Sequence, residues 1–250
     1  GIWPAGVAEP TASGTLELMT WSILARDENG LLGVAIASRF FSVGALCVHT
    51  RRGVGALSTQ ALMNPLYGPA GMQQLEGSSA QQVVEHLTGA DGGRAHRQLH
   101  VLPASGPPYA YTGAECIDWC GHHCDDDFSV AGNMLAGPQV IERTVAAFRA
   151  SQGLPLAERL LQAMLAGEAA GGDKRGKQSA ALRLHGDEDY PMLDIRVDDH
   201  TEPLLELQRL YQKSRERFLP FTACLAGRHD PVGLTDRAAI EARVQAYHQR

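Results

Sequence analysis

The chain has 250 residues, 44% of them hydrophobic and 20% charged. That is globular composition with material for a core, and the length of one domain or of one domain with an appendage. A formal net charge of −6 argues against general nucleic-acid binding, and no apolar run is long enough to cross a bilayer.

Residues 1–18 hold Pro4, Gly6, Pro10 and Gly14 among small polar residues, the composition of a loop or a flexible extension. They lack a basic region followed by a continuous apolar core, so no secretory signal is expected and the cytoplasm is the expected compartment. The five cysteines are expected as free thiols, because a chain of this size needs no disulfide staples.

The first strong element is a hairpin. Trp21 to Ala25 is an apolar run rich in strand formers, Arg26-Asp27-Glu28-Asn29-Gly30 is a turn carrying an Asn-Gly signal, and Leu31 to Ala37 is the returning strand. At its head stands Met19-Thr20. An initiator methionine before a residue as small as threonine is normally removed. If Met19 is the start, the mature chain begins with a free Thr20, which carries a nucleophile (Oγ) and a base (the α-amine) on one residue. If the preceding segment stays, Thr20 is internal and has no amine of its own.

A bend and a strand follow over Phe40 to Thr50, then a short buried strand from Val54 to Leu57 that ends in Ser58-Thr59-Gln60. Asn64-Pro65 opens a helix running to about Leu75, and Ser78-Ser79-Ala80-Gln81-Gln82 resembles a capping box for the next one. Leu99 to Leu102 and Tyr109 to Tyr111 read as paired strands. Cys116, Cys120, His122, His123, Cys124 and Asp125 to Asp127 are zinc-ligand types, but the spacing is not that of a paired knuckle and no second half appears. A polar loop with unpaired cysteines is therefore preferred to a metal site.

Phe128 to Gly132 is a strand, and helices follow to about Ala150 and over Leu156 to Ala169. Ala170 to Ser179 is a glycine-rich turn holding Lys174, Arg175 and Lys177. It could hold a carboxylate or phosphate, although its spacing is not that of a P-loop. Strands at Ala180 to Leu184 and Leu193 to Val197 precede helices over Glu202 to Arg217 and Asp236 to Gln249. Strands in runs with helical pairs between them predict antiparallel sheets covered by helices.

Several of these runs together resemble a bacterial and archaeal family, domain of unknown function 1028 (DUF1028). They are Thr20-Trp21-Ser22-Ile23, Gly33 to Phe41, Thr59-Gln60-Ala61 with Asn64-Pro65 and Tyr67-Gly68, Thr112-Gly113 with Cys116 and Trp119, Gly132 to Gly137, Ala170 to Gly176, and Arg196 to His200. The family resembles the N-terminal-nucleophile (Ntn) hydrolases, which implies an α+β fold: a four-layer αββα sandwich of two antiparallel sheets.

The resemblance covers about Thr20 to Tyr211, and the expected organisation is a domain over residues 20–200, preceded by a flexible extension or propeptide at 1–19 and followed by a helical appendage over 201–250. The resemblance implies hydrolysis of an amide C–N bond in a small-molecule or peptide-like substrate. Thr20 would be the nucleophile, and its α-amine, with an ordinary pKa of about 7.7–8.0, the general base. Arg39 would sit near that amine. Asn133, or backbone N–H groups at Ser58 and Thr59, would serve the oxyanion. Asn64, Tyr67, Asp173, Lys174 and Arg175 complete the candidate substrate-binding set. No cofactor or metal, no nucleic acid and no membrane is implied, and a homodimer is expected by analogy. The alternatives are a non-catalytic small-molecule-binding protein on the same fold, or a metal-dependent hydrolase using Cys116 to Asp127.

Overall fold

The computed structural model describes residues 20–172 and 176–249. β1 (Thr20–Arg26) and β2 (Leu32–Ser38) form the expected hairpin, in a register that sets Thr20 opposite Ser38. The turn is fixed by Asp27, whose Oδ1 accepts from the N–H groups of Asn29 and Leu31 at 2.9 Å. Gly30 supplies a φ of 80° there, which glycine adopts without steric cost.

A four-residue helix, α1 (Val43–Leu46), replaces the expected bend before β3 (Val48–Arg51) and β4 (Gly55–Ala61). Next come α2 (Tyr67–Gln74) and α3 (Ala80–Gly89), the latter opening on a capping box that the structure places at Ser79 and Gln82 within the predicted stretch. β5 (Arg97–Pro103), β6 (Tyr109–Thr112), β7 (Trp119–Cys124) and β8 (Phe128–Leu135) precede α4 (Pro138–Ala150) and α5 (Leu156–Ala169). β9 (Ser179–His185), β10 (Leu193–Val197), α6 (Pro203–Glu216), α7 (Phe218–Thr222) and α8 (Arg237–Tyr247) complete the order. β7 corrects the expected polar loop. It is a half-exposed edge strand, so its polar residues carry no apolar signal.

The strands form a six-stranded sheet in the order β10-β9-β2-β1-β8-β7 and a four-stranded sheet in the order β3-β4-β5-β6. Neighbouring strands are antiparallel throughout. Strand side chains alternate between faces, and this divides the interior into three layers. Trp21, Ile23, Ala25, Ala35, Phe128 and Val130 pack against α4, α5 and α6. Leu57, Leu99 and Val101 pack against α2 and α3. Leu24, Val34, Ile36, Ala56 and Leu102 meet between the sheets. The result is the expected α+β, four-layer αββα sandwich. Each large apolar side chain fully buried in these layers contributes about 1.5–3 kcal/mol. Leu204, Leu207 and Tyr211 of α6 belong to the same core as α4 and α5, whereas α8 buries little beyond Val244.

Candidate active site

The alternation that sends Trp21 and Ile23 toward the helices sends Thr20 and Ser22 between the sheets. Thr20 stands at the first position of β1, opposite Ser38 on β2 and Asn133 on β8, and Ser38 in turn stands opposite Ser179 on β9. These four side chains make one transverse row, Asn133, Thr20, Ser38 and Ser179, across the six-stranded sheet. The Thr20 hydroxyl lies 3.2 Å from Ser38 Oγ, and Thr20 is 3% exposed. Among the described residues no imidazole, carboxylate or amine is hydrogen-bonded to the Thr20 hydroxyl.

The backbone of Thr20 is held from both sheets, by Asn133 of the neighbouring strand β8 and by Gln60 of the facing sheet. Its carbonyl accepts from Asn133 Nδ2 at 3.2 Å and from Gln60 Nε2 at 3.5 Å. Gln98 Oε1 accepts from the same two amides, at 3.1 and 2.8 Å. Gln98 Nε2 in turn donates to the carbonyls of Gly132 (2.9 Å) and Gly121 (3.1 Å), which fixes the orientation of its amide. Gln60 Nε2 is fixed likewise by the Ala131 carbonyl at 3.1 Å. It follows that Asn133 points its N–H groups at Thr20 and Gln98. Its Oδ1 is buried with no hydrogen-bond partner among the described residues. A buried acceptor left unpaired costs about 1–3 kcal/mol.

A second chain of polar groups runs deeper between the sheets. Ser22 Oγ donates to Gln60 Oε1 at 2.7 Å and contacts His100 Nε2 at 2.8 Å, while His100 Nδ1 lies 3.0 Å from Ser129 Oγ. Burial, followed by the nearby His122, pushes the His100 pKa down to about 3, so its ring is neutral. Ser22 has one proton, and the amide oxygen of Gln60 takes it. His100 therefore donates from Nε2 and accepts from Ser129 at Nδ1. His100 holds the sheets together and is not hydrogen-bonded to Thr20.

Backbone strain gathers at the same end of the sandwich. Among the described residues, the non-glycine residues with positive φ are Ser42 (57°), Ala61 (62°), Asp118 (55°) and Met134 (53°). They lie in the segment after β2, at the end of β4, before β7 and directly after Asn133. Such strain costs about 1–3 kcal/mol per residue and clusters at functional sites.

At Met134 the cause is visible. The β7–β8 register passes from Gly121↔Gly132 to Trp119↔Leu135, which leaves Asn133 and Met134 opposite Cys120 alone. Alternation already turns Asn133, like Ser129, toward the other sheet; the β-bulge after it lets Leu135 join Phe128 and Val130 against the helices.

The remaining candidate residues divide. Ser58 is fully buried between the sheets, and its Oγ donates to Gln60 Oε1 at 3.1 Å. Thr59 faces the other way: its Oγ1 accepts from the Asn64 N–H, and its own N–H donates to the Cys47 carbonyl. Asn64 and Tyr67 gather on Asp91, at 3.3 and 2.7 Å, with Arg97 Nε at 3.1 Å. The Tyr67 hydroxyl, the Gly93 N–H and Arg97 hold the Asp91 carboxyl well below its usual range. That cluster ties α2 and α3 to β5, away from Thr20's own contacts.

Arg39 is exposed beside Ser38. With Lys177, Gln178, Asp199, His200 and Thr201 it lines a cleft of about 500 Å³. Asp173, Lys174 and Arg175 lie outside the described residues.

The Cys116 to Asp127 side chains are spread out. Cys116 Sγ bonds the Arg97 carbonyl, Cys124 Sγ lies 3.5 Å from Ser129 Oγ, and His122 Nδ1 lies 2.9 Å from Thr112 Oγ1. No three metal-ligating side chains converge among the described residues. Burial pushes the Cys116 thiol up to about 11.

Sequence reasoning missed Gln60, Gln98, His100 and Ser38 as site residues. A signal was available: Ser58 and Gln60, Gln98 and His100, and Ser22 recur at every second position of otherwise apolar strands.

The model of a family of unknown function, DUF1028, matches residues 20–207. The chain belongs to this family. Among solved structures, the crystal structure of a DUF1028 protein from Silicibacter pomeroyi shares 32% identity with it at a TM-score of 0.81, covering 88% of this chain and 96% of that one. Anbu, the ancestral beta-subunit from Yersinia bercovieri, aligns at 10% identity and a TM-score of 0.39, over 78% of this chain and 94% of that one. That likeness is too loose to carry site residues across. No curated protein matches the chain. No described helix of this DUF1028 protein is long and apolar enough to cross a membrane.

Proposed function

We propose that the protein is an Ntn-type hydrolase of an amide C–N bond, with Thr20 as nucleophile and its own α-amine, once free, as general base. One observation carries the reading. The Thr20 hydroxyl sits between the sheets, at the end where strained backbone collects, with the Ser38 hydroxyl as its partner and no side-chain base on it among the described residues. A threonine nucleophile needs a base, and an N-terminal threonine carries one in its own α-amine. The family match begins at this residue, which supports the same reading.

In the proposed reaction Thr20 Oγ adds to the amide carbonyl carbon and its proton passes to the α-amine. The tetrahedral intermediate collapses as the C–N bond breaks, and the leaving nitrogen takes that proton. Water then hydrolyses the ester, releases the acid and restores the hydroxyl. The Oδ1 of Asn133, without a hydrogen-bond partner among the described residues, is an acceptor beside Thr20, suited to an N–H of the α-amine or of the scissile amide. Gln60 and Gln98 are positioning residues that fix Asn133 and the Thr20 carbonyl.

A cytoplasmic homodimer acting on a small-molecule or peptide-like substrate completes the proposal. Covalent capture tests it: a β-lactone should add to Thr20 in the active protein, and Thr20→Ala should fold yet form no adduct. A protein that binds small molecules without any adduct would favour a non-catalytic role.

A further inference from the structure

Resting on the reading of Thr20 as nucleophile, we propose that Ser38 is the positioning residue of that nucleophile, holding Thr20 Oγ in the rotamer from which it attacks. The Thr20 backbone is already fixed. It pairs with Ser38 on one side and Asn133 on the other, and its carbonyl is bonded by Asn133 and Gln60. What remains is rotation about the Cα–Cβ bond, which carries Oγ and a methyl group through three staggered wells. The Thr20 O–H donates to Ser38 Oγ at 3.2 Å. In either other well the hydroxyl turns away from Ser38 and that bond is lost.

Ser38 is itself held in place. β2 turns Val34 and Ile36 into the layer between the sheets, and alternation puts Ser38 at the end of that stripe. It is fully buried, so its hydroxyl calls for partners. Its Oγ accepts from the Phe40 N–H at 3.0 Å as well as from Thr20, which occupies both lone pairs. The Ser38 carbonyl accepts from the Gln178 N–H at 2.9 Å. A backbone amide two residues on, rather than a rotatable side chain, therefore sets where the Ser38 oxygen stands. Serine is no base, so the Thr20 proton still passes to the α-amine.

The segment that delivers the Phe40 amide is anchored in turn. Ser179, opposite Ser38 on β9, donates to the Phe40 carbonyl and accepts from the Val43 N–H at 3.1 Å. Ser42 Oγ donates to Asp198 Oδ1 at 2.7 Å, and the Ser42 N–H to the Asp198 carbonyl at 3.0 Å. Ser42 is the strained residue here, at a φ of 57°. Such strain persists only where the surroundings over-determine it. Here they over-determine the segment whose N–H fixes Ser38 against the reacting hydroxyl.

The test compares Ser38→Ala with Asp198→Ala, which removes an anchor of the same segment without touching Thr20. On protein that begins at Thr20, the second-order rate of β-lactone adduct formation is read by intact mass from about pH 6 to about pH 9, across the ordinary range of an α-amine. Ser38→Ala should lower the plateau about tenfold or more, the loss expected of a misplaced nucleophile. The midpoint belongs to the amine and should stay within about 0.3 units of wild type. Asp198→Ala should keep the rate within about twofold. Ser38→Cys keeps the size of serine but accepts weakly; it should lose about threefold or more, and it carries the test if the alanine variant does not fold. An unchanged rate in the Ser38 variants, an equal loss in Asp198→Ala, or a shifted midpoint would overturn the role of Ser38 and leave the nucleophile reading standing. No adduct in the wild-type chain would overturn both.

Discussion

His100 shows how much one residue can reveal when its protons are followed. Fully buried, it is bonded on one side to Ser22 and on the other to Ser129. Its pKa is lowered to about 3 in the folded chain, against about 6.5 when unfolded. A depressed histidine contributes stability that is present above the unfolded pKa and lost as pH falls toward the folded one. Between about pH 6.5 and pH 3 the unfolded chain binds a proton that the folded chain refuses. This one group should therefore lower stability by about 1.4 kcal/mol per pH unit across much of that window. Denaturant melts of wild type and His100→Gln from pH 7 to pH 4 should show a shallower fall in the variant; identical slopes would mean that another group carries the effect.

The thiols give a second prediction at this scale. Burial raises Cys47 to about 12 and Cys116 to about 11, so both stay protonated at neutral pH. Iodoacetamide should modify them at least about tenfold more slowly than it does a free cysteine with a pKa near 8.5, as peptide mass mapping would show.

At the scale of elements, the bulge in β8 joins site to core. Leu135 lies across the face of Gly132, and a Cβ added there would meet Leu135 Cδ1 at 2.5 Å and Trp21 Cβ at 3.0 Å. Gly132→Ala should therefore cost about 1–3 kcal/mol through overpacking. It should also disturb Asn133, the next residue, so thermal melting and adduct formation at Thr20 should fall together. The β1–β2 hairpin could be read from sequence because its two apolar runs and turn are local, and so could the capping box of α3. The edge strand β7 could not, because its half-exposed polar residues look like a loop. Gln60 and Gln98 were missed for a different reason: their alternation with apolar residues marks them as facing inward, but their pairing across β4 and β5 is a contact that no local pattern announces. The same holds for Thr59. The sequence singled it out beside Ser58, but a step of one residue along a strand turned it to the helix side.

For the whole molecule, two sheets facing one another through a polar layer put every group around Thr20 on a different strand. Single substitutions there should propagate. Gln98→Leu strips donors from the Gly132 and Gly121 carbonyls and an acceptor from Gln60 and Asn133. Leaving such groups unpaired costs about 1–3 kcal/mol each, and the loss should appear as a lower melting temperature with both sheets loosened in hydrogen exchange. The tail should matter far less. α8 lies beyond the family match, which ends at residue 207, and Val244 is its buried residue. A chain stopped at residue 234 should melt within a few degrees of the full chain, whereas one stopped before α6 should not fold.

All of the proposed chemistry converges on whether Thr20 heads the working chain. The most direct measurement is the intact mass of the protein population that carries a β-lactone adduct. The expected result is a chain that starts at Thr20, with the label on that residue. An adduct-bearing, catalytically active chain that still retains Met19 or anything before it would contradict it.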